Sequence, residues 1–386
     1  MQTTGWLRRV GPWLGIGTSP AALMMGGGLA QGVEGWRLPV TMAIGVVLLA
    51  GMACAQGLVG QREAKPFLAV AGDVLGRRAS RTFASPVMLA MMLGWFALNV
   101  SVAGTAVGRL VGIPDRAGML CFAALALAVT WFGVDALSLA ALAAAVATVG
   151  LAIEGIRRVL DEHSLTLLGD GHPAQPIGIV PGVALVIGFG AAFALRTPDF
   201  TGDLHRPREV ALCAVLGLGV PLTLFAGVGA ILQQSTGTWN IADVLRSLGS
   251  PTVAYLFVAI GFAGSVMSNL YSGALSLSDT TRIAHRPALI AVATAGTALA
   301  SLHFSKWMLP YLSTMALAAP PLIALVWLTR HRSTSVFRDV AWRADRLFAW
   351  GVGVGTGLAV HAAGVGAALP IGLLATVVTY AAAMSR

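Results

Sequence analysis

The chain has 386 residues, of which 56% are hydrophobic and only 11% charged, and its formal net charge is +9. Soluble domains carry about 25% charged residues, and a soluble core could not bury so much apolar surface, so the composition excludes a soluble protein and indicates a membrane protein. The three cysteines, Cys54, Cys121 and Cys213, fall in apolar runs without a short pairing between them, which argues against a disulfide framework or a metal clip.

Apolar runs long enough to cross about 30 Å of hydrocarbon recur along almost the whole chain. They predict an all-α polytopic membrane protein, a single transmembrane domain over residues 1–386 with twelve transmembrane helices. The predicted spans are residues 10–32, 38–60, 82–108, 116–134, 136–156, 176–201, 209–232, 252–277, 286–304, 308–329, 346–363 and 365–384.

The Lys and Arg residues are concentrated in the loops that this arrangement places on the side of the N-terminus. The positive-inside rule then predicts both termini in the cytoplasm and a location in the cytoplasmic (inner) membrane. The excess of Lys and Arg over Asp and Glu therefore indicates the orientation of the chain in the membrane. The lipid bilayer is the expected partner, no nucleic acid is expected, and the chain is expected to be a monomer.

Two of the spans carry similar interruptions. Span 1 contains Gly-Ile-Gly at residues 15–17 before Pro20, and span 6 contains Gly-Phe-Gly at residues 188–190, with Pro198 and Asp199 near its end. An unwound helix frees backbone carbonyls and amides, which are tolerated at membrane depth only where they line a cavity or bind a solute. The pattern predicts that both spans unwind at these glycines and bind a solute there; the alternative is that the glycines only allow close helix packing.

Interruptions at matching places in two halves are typical of secondary transporters built from repeats. Five helices per repeat turn the second copy upside down in the membrane. The sequence therefore predicts inverted repeats over residues 10–158 and 176–330, followed by two appended helices over residues 346–384. The three glycines at residues 26–28 either open the outer half of span 1 or only allow close helix packing.

Six motifs, taken in their order and spacing, resemble a known family. They are GGGLAQGV closing span 1, GWFALNVSVAG in span 3, PDFTGDLHRPRE leaving span 6, NLYSGALSLSD in span 8, APPL in span 10 and LFAWGVGVGTGL in span 11. The chain resembles the purine and cytosine permeases of the nucleobase:cation symporter-1 family, above all the bacterial cytosine permeases. This resemblance implies the leucine-transporter fold of 5+5 inverted repeats plus two helices, with a substrate held between helices 1, 3, 6 and 8.

The resemblance also implies a set of substrate-binding residues. Trp95 matches the family's stacking tryptophan in span 3, and Asn99 lies four residues later on the same helical face. The second stacking aromatic of the family falls at Gly190 in this chain, and the nearest aromatic is Phe189. The full expected set is Trp95, Asn99, Phe189, Gly190, Gly188, Ser19, Ser268 and Asn269.

Family members that use sodium hold it between helices 1 and 8. The matching carbonyls here belong to Gly15 and Thr18, and the matching helix 8 positions are Gly261, Gly264 and Ser265. Only Ser265 has a side-chain oxygen, whereas hard cations take several oxygen ligands. No other cofactor or metal is expected.

The coupling ion is therefore open at this stage. A sodium site shifted to Ser265, Ser268 and Asn269 is one alternative, proton coupling is another, and absence of coupling is a third. Titratable groups near the pathway are Asp199, Asp203, His205 and Glu154. Arg196, deep in span 6, either faces a cavity, where it would attract an anion or replace a missing cation, or reaches toward Asp199 or Asp203 at the membrane surface.

The expected function is a permease that imports a nucleobase such as cytosine, or a related pyrimidine-like heterocycle, by alternating access. An amino-acid carrier of the same fold and a transport-inactive sensor or scaffold are the alternatives. Enzyme chemistry is not expected, because the seven histidines are scattered without ligand spacing. They are His163, His172, His205, His285, His303, His331 and His361.

Overall fold

A computed structural model describes residues 5–162, 176–238, 243, 246, 250–302, 304–332 and 340–385. Every regular element in these ranges is helical. The principal helices are α1 (Gly11–Gly17), α2 (Pro20–Ala30), α3 (Arg37–Glu63), α4 (Phe67–Leu75), α5 (Arg77–Val111), α6 (Asp115–Thr130), α7 (Val134–Glu162), α8 (Ile179–Arg196), α9 (Pro207–Thr236), α10 (Pro251–Thr281), α11 (His285–Ser301), α12 (Met308–Arg332), α13 (Ala344–Ala362) and α14 (Ala368–Met384). Three of the seven histidines, His163, His172 and His303, lie outside the described residues.

Seven helical segments in the described part of the chain are long and apolar enough to cross a membrane, judged by length and composition. They are Arg37–Glu63, Arg77–Val111, Val134–Glu154, Ile179–Phe200, Pro207–Thr236, Pro251–Thr281 and Pro310–Arg330. The protein is therefore a multi-pass, all-helical membrane protein. Helical residues also occupy the other predicted spans, in shorter or broken helices, and the count of twelve crossings stays a prediction.

The first span is broken, and the break is shorter than predicted. α1 ends at Gly17, Thr18 and Ser19 lie outside any helix, and α2 begins at Pro20. Pro20 has no N–H to continue the helix and forces an extended backbone on Ser19, whose φ is −67° and ψ 150°. Gly15 and Gly17 remain helical, so the unwound segment consists of two residues.

The predicted break at residues 188–190 is wrong. Both glycines lie inside the continuous helix α8, which ends only at Arg196 and is followed by a 3₁₀ turn over Thr197–Phe200. Gly188 and Gly190 serve packing, because a Cβ would lie 2.5 Å from the Leu312 carbonyl oxygen at the first and 2.5 Å from the Leu49 side chain at the second. Span 6 is thus interrupted beside Pro198.

The helices around these breaks form the core of the bundle. α5 and α10 make the most extensive helix pair, and α10 also packs on α7 and on α1. α8 lies between α3 and α12, and α2 packs on α9. α13 and α14 pair with each other and contact the remainder chiefly through α12. The two broken spans therefore meet α5 and α10 in the centre of the protein.

Candidate functional site

A small enclosed cavity lies where the break between α1 and α2 faces α5, α8 and α10. Its lining residues are Ile16, Ser19, Ala21, Trp95, Asn99, Phe189, Phe193, Ser265 and Asn269. The free volume is about 10 Å³, which is room for roughly one water molecule. The cavity is closed around its own aromatic side chains, and a heterocyclic ring enters only if those side chains move.

The structure brings most of the predicted site residues together here. Trp95, Asn99, Phe189, Ser19 and Asn269 all line the cavity. Ser265, which was expected to bind an ion, lines it as well. These residues come from three helices and from the break between α1 and α2, so only the fold places them around one space.

Five predicted residues lie elsewhere. Gly188 and Gly190 face α12 and α3, as described above. The hydroxyl of Ser268 donates to the Gly264 carbonyl within α10 at 2.8 Å. Gly15 packs on α10, and the hydroxyl of Thr18 donates to the Leu14 carbonyl at 2.8 Å. Each of these groups is engaged in helix packing or helix capping.

Aromatic rings form one wall of the cavity. The ring of Trp95 meets that of Phe189 edge to face, with centroids 5.7 Å apart and an interplanar angle of 84°. On another side it meets Tyr311 at 5.7 Å and 80°. The phenol of Tyr311 donates a hydrogen bond to the Met91 carbonyl, one turn before Trp95. Tyr311 thus braces the tryptophan, a role that the sequence analysis did not predict because α12 shows no motif at this position.

Two amide side chains supply the polar part of the cavity. Asn99 donates from Nδ2 to Ser265 Oγ at 3.0 Å, and Ser265 donates its single hydroxyl proton to the Phe262 carbonyl at 3.0 Å. Since the hydroxyl has no second proton, Asn99 must turn its NH₂ toward Ser265. Its Oδ1 is buried and has no hydrogen-bond partner among the described residues. Asn99 therefore offers Oδ1 to a ligand as a hydrogen-bond acceptor.

Arg196 is fully buried at the end of α8 and contacts Asn269 and Phe193, two of the residues that line the cavity. One terminal nitrogen donates to the Ser268 carbonyl and, at 3.0 Å, to Ser272 Oγ, and the other donates to Asn269 Oδ1 at 2.7 Å. The guanidinium lies 5.3 Å and 5.4 Å from the ring centroids of Phe193 and Phe200. The predicted reach of Arg196 toward the membrane surface is thus wrong, because its hydrogen bonds go to α10.

A hydrogen-bonded chain links this arginine to a second, larger cavity. Ser272 Oγ donates to Asp199 Oδ2 at 2.9 Å, and Asp199 Oδ1 accepts from the Phe67 N–H at 2.8 Å. Asp199 borders a cavity of about 710 Å³ whose lining also includes Asp73, Arg77, Arg81 and Asp279. Arg196, Ser272 and Asp199 therefore form a polar layer between the small central cavity and this wide polar one.

The residues between α1 and α10 do not fit a sodium ion. A Cβ on Gly15 would lie 3.1 Å from Gly264 Cα, and a Cβ on Gly264 would lie 3.0 Å from Gly15 Cα, so the two backbones touch. Gly261 is similarly close to Pro20, and the Ser265 hydroxyl is already bonded to Phe262 and Asn99. The one side-chain oxygen of the predicted site is therefore already hydrogen-bonded, whereas hard cations take several oxygen ligands, and the helices meet closely at Gly15 and Gly264.

The shifted sodium site fits no better. Asn269 Oδ1, one of the side-chain oxygens it would need, accepts a hydrogen bond from Arg196, and the Ser268 hydroxyl donates to the Gly264 carbonyl. A cation there would face the positive guanidinium at close range. Among the described residues, no group of three or more His, Cys, Asp or Glu side chains is arranged to hold a metal ion.

Two of the four proton-coupling candidates are held in ion pairs, and neither lines the cavity. Asp203 forms an ion pair with Arg9, and Glu154 pairs with Arg157 on the same helix at 3.1 Å. His205 is exposed, and its backbone N–H donates a hydrogen bond to the Glu209 carboxylate at 3.0 Å. Only Asp199 connects to the central cavity, through Ser272 and Arg196.

A multi-helix membrane protein with a broken first helix beside a buried cavity of aromatic and amide side chains has the architecture of a secondary transporter. Its sequence matches, over residues 2–327, the profile of the family described as permease for cytosine/purines, uracil, thiamine, allantoin. The chain belongs to this family of permeases. It is therefore a membrane transporter and not an enzyme.

Similarity to individual proteins points the same way. The chain is 24% identical over 358 residues to a cytosine permease of Escherichia coli O157:H7, which covers 89% of this chain and 83% of that protein. It superposes with a TM-score of 0.83 on Mhp1, a nucleobase-cation-symport-1 family transporter in a closed conformation with bromovinylhydantoin bound, over 99% of this chain and 92% of Mhp1 at 17% identity. A substrate-bound outward-open Na⁺-coupled sialic acid symporter gives 0.70 over 99% of this chain and 90% of the symporter at 14% identity.

These likenesses confirm the leucine-transporter type of fold that the resemblance implied. They leave the number of crossings, the repeat boundaries and the individual site residues as predictions.

Proposed function

We propose that the protein imports a neutral, planar nitrogen heterocycle, such as cytosine or a related pyrimidine, by alternating access. The observation that carries this proposal is the single buried cavity shared by two aromatic rings, Trp95 and Phe189, and two amides, Asn99 and Asn269. A flat ring with polar edges needs both elements, because stacking is tolerant of ring type while edge hydrogen bonds discriminate between rings. The relative named cytosine permease and the hydantoin bound to Mhp1 support this substrate class.

Binding requires the cavity to enlarge. Its free volume of about 10 Å³ is far below that of a pyrimidine, and the edge-to-face contact of Trp95 with Phe189 fills the space that a ring would occupy. We infer that Phe189 swings away from Trp95 and that the substrate takes its place on the indole face. The break at Thr18 and Ser19 lets α1 and α2 move independently during this opening.

The proposed topology has twelve crossings, with both termini in the cytoplasm and two inverted repeats of five helices. Helices at every predicted span support the count. Interruptions at residues 18–19 and 197–200, in the first helix of each proposed repeat, support the inverted relation, and the separate pairing of α13 with α14 supports two appended helices. The wide cavity at Asp199 would then open to the cytoplasm.

We propose further that no sodium ion binds between α1 and α10 during transport. The backbone contact of Gly15 with Gly264 and the engaged hydroxyl of Ser265 support this view. Asp199 is the best-placed group for proton coupling, since it alone among the four titratable candidates connects to the cavity.

An amino-acid carrier is a weaker candidate. It would grip the substrate carboxylate with amides freed from broken helices, but α8 remains helical through residues 188–190. No specific observation favours a transport-inactive sensor over a permease.

Uptake of radiolabelled cytosine into proteoliposomes tests this proposal. We expect uptake that is competed by unlabelled pyrimidines and not by amino acids, and that differs by less than about twofold when a sodium gradient is replaced by a choline gradient. A strict sodium requirement would contradict the coupling proposal alone. Absence of both uptake and binding for cytosine and related heterocycles would contradict the substrate proposal.

A further inference from the structure

We propose that Arg196 is a positioning residue that sets which hydrogen-bonding group Asn269 presents to the substrate. The inference rests on the proposed function, because it concerns how the same cavity selects its ligand. It assigns to the α10 side of the cavity a fixed hydrogen-bond donor, so the transported ring must present an acceptor there.

The first step concerns the charge of Arg196. Its guanidinium is fully buried, and hydrogen bonds to its protons offset the cost of burying the charge. Both terminal nitrogens donate to α10, whereas Nε has no hydrogen-bond partner among the described residues. The acceptors that face it directly are the Ser268 carbonyl, the Ser272 hydroxyl and Asn269 Oδ1, all on α10. From the other side, the rings of Phe193 and Phe200 cover it.

The second step concerns the orientation of Asn269. A guanidinium has five donors and no acceptor, so the Asn269 amide can face Arg196 only with its oxygen. The 2.7 Å contact from the arginine to Oδ1 agrees with this requirement. Nδ2 of Asn269 then points away from the arginine, is buried, and has no hydrogen-bond partner in the part of the chain that the structure describes.

The third step joins the two amides of the cavity. Asn99 presents an unpartnered acceptor from α5, and Asn269 presents an unpartnered donor from α10. A buried polar atom without a partner costs free energy, and a ligand that pairs it removes that cost. The two groups together fit a ring edge on which a donor stands next to an acceptor, as in the amide or amidine edge of a pyrimidine.

The rival explanation is that Arg196 only clamps the end of α8 to α10. Both explanations predict that removing the arginine lowers stability. Only the positioning role predicts that the ligand preference depends on the side chain at position 196. A cation that only donates hydrogen bonds should preserve the preference. A side chain that can both donate and accept should weaken it. Arg196→Lys and Arg196→Gln are the matched pair that separates these cases.

A substrate-free experiment tests the contact itself. Thermal unfolding of the purified full chain is measured for Asn269→Asp in the wild-type and in the Arg196→Gln background. In the wild-type background, where Arg196 pairs the new carboxylate, we expect Asn269→Asp to leave the unfolding midpoint unchanged or to raise it. In the Arg196→Gln background the carboxylate is buried without a positive partner, and we expect the midpoint to fall by about 5 °C or more. An equal effect in both backgrounds would show that Arg196 does not hold Asn269.

A ligand pair tests the positioning role. Binding of cytosine is compared with binding of its 3-deaza analogue, in which the ring-nitrogen acceptor is replaced by C–H. We expect the wild type and Arg196→Lys to prefer cytosine about tenfold, and Arg196→Gln to prefer it by less than about threefold, because the amide of Asn269 is then free to flip. Arg157→Gln, which changes an exposed arginine that pairs with Glu154 on its own helix, is the control.

The outcomes are distinguishable. An unchanged preference in Arg196→Gln, or no preference in the wild type, overturns the positioning role while the proposed function stands. If the wild type binds neither compound, the proposed cytosine-like substrate is wrong, and the substrate-free unfolding experiment still decides whether Arg196 orients Asn269.

Discussion

At the scale of single residues, the cavity depends on Trp95 more than on any other side chain. Its indole contacts Phe189 and Tyr311 edge to face, and it is only 7% exposed. The phenol of Tyr311 is in turn anchored on the Met91 carbonyl. The indole face is therefore held in one orientation before any substrate arrives, which reduces the entropic cost of binding.

Replacing Trp95 with alanine should strongly weaken substrate binding while the protein still inserts and folds. The expected loss is about 5- to 150-fold in affinity, because base stacking on an aromatic side chain is worth about 1–3 kcal/mol. Equilibrium binding of labelled cytosine to purified protein measures it. Trp36→Ala is the matched control, since Trp36 is 67% exposed and remote from the cavity lining. Unchanged affinity in Trp95→Ala would mean that the binding site lies elsewhere.

Asn99→Ala should change the ranking of bases more than it weakens all of them. The variant removes the acceptor Oδ1 and leaves the Ser265 hydroxyl without the Nδ2 donor, so ligands that donate to Asn99 lose most. Competition of labelled cytosine by a panel of pyrimidines measures the ranking. A uniform loss across the panel would assign Asn99 to the architecture of the cavity and not to selection.

At the scale of helices, glycines decide how closely the broken first span approaches its neighbours. α2 packs against α9 at Gly26, where a Cβ would lie within bonding range of the Ala226 carbonyl oxygen, at 1.9 Å. At Gly28, only two residues later, no heavy atom of the described residues outside the local backbone of α2 lies within 4 Å of the same Cβ position. The glycine cluster at residues 26–28 therefore serves close packing at its first position and has open space at its last.

Gly26→Ala and Gly28→Ala form a matched pair with opposite expectations. Gly26→Ala should destabilise the protein by about 1–3 kcal/mol, because the methyl group forces α2 away from α9. Gly28→Ala should be neutral or stabilising by up to about 1 kcal/mol, because alanine favours the helix. Thermal unfolding in detergent measures both. Equal effects of the two variants would contradict the packing contact.

At the scale of the whole molecule, two charge clusters tie distant segments together. Arg9 bonds Asp203 and Asp135, which joins the N-terminal segment to the chain beyond α8 and to the start of α7. Asp73 on α4 accepts from Lys65 at 2.6 Å and from Arg330 at 3.0 Å. Because these clusters link segments that are far apart in sequence, they connect the halves of the bundle.

The second cluster makes stability depend on pH. Burial by itself raises the pKa of Asp73, but hydrogen bonds from Lys65 and Arg330 outweigh it and hold the pKa below its usual value. A carboxyl whose pKa is lower in the folded state contributes stability that is complete above its unfolded pKa of about 3.9 and is lost as the pH falls through the folded value. Acidification below about pH 4 should therefore remove this contribution.

Asp73→Asn tests whether Asp73 is the group whose titration lowers the stability at low pH. The variant should be less stable than the wild type at pH 7, and the difference should shrink as the pH falls below about 4, where the wild-type carboxyl is also neutral. Thermal midpoints from pH 7 to pH 3 measure it, with the exposed Glu34→Gln as control. A difference that stays constant over this range would exclude Asp73 as the titrating group.

Much of the site was predictable from motifs, since Trp95, Asn99, Phe189, Ser19 and Asn269 all reach one cavity. The wrong prediction of the break in span 6 has a physical cause. Glycine and proline weaken a helix without stating where it breaks, so the break of span 6 was expected at residues 188–190 and lies at residues 197–200. Whether such a glycine unwinds or packs depends on the neighbouring helix, which a single segment does not reveal.

By itself, the sequence determined that the chain lives in a membrane, that its apolar runs are helical and to which family of permeases it belongs, because these properties follow from composition, the length of the apolar runs and ordered motifs. Only the tertiary structure decided that the backbones of Gly15 and Gly264 meet and that Arg196 bonds α10 and not the membrane surface. Both depend on which atoms of distant segments come within a few ångströms, and packing of the whole bundle sets those distances.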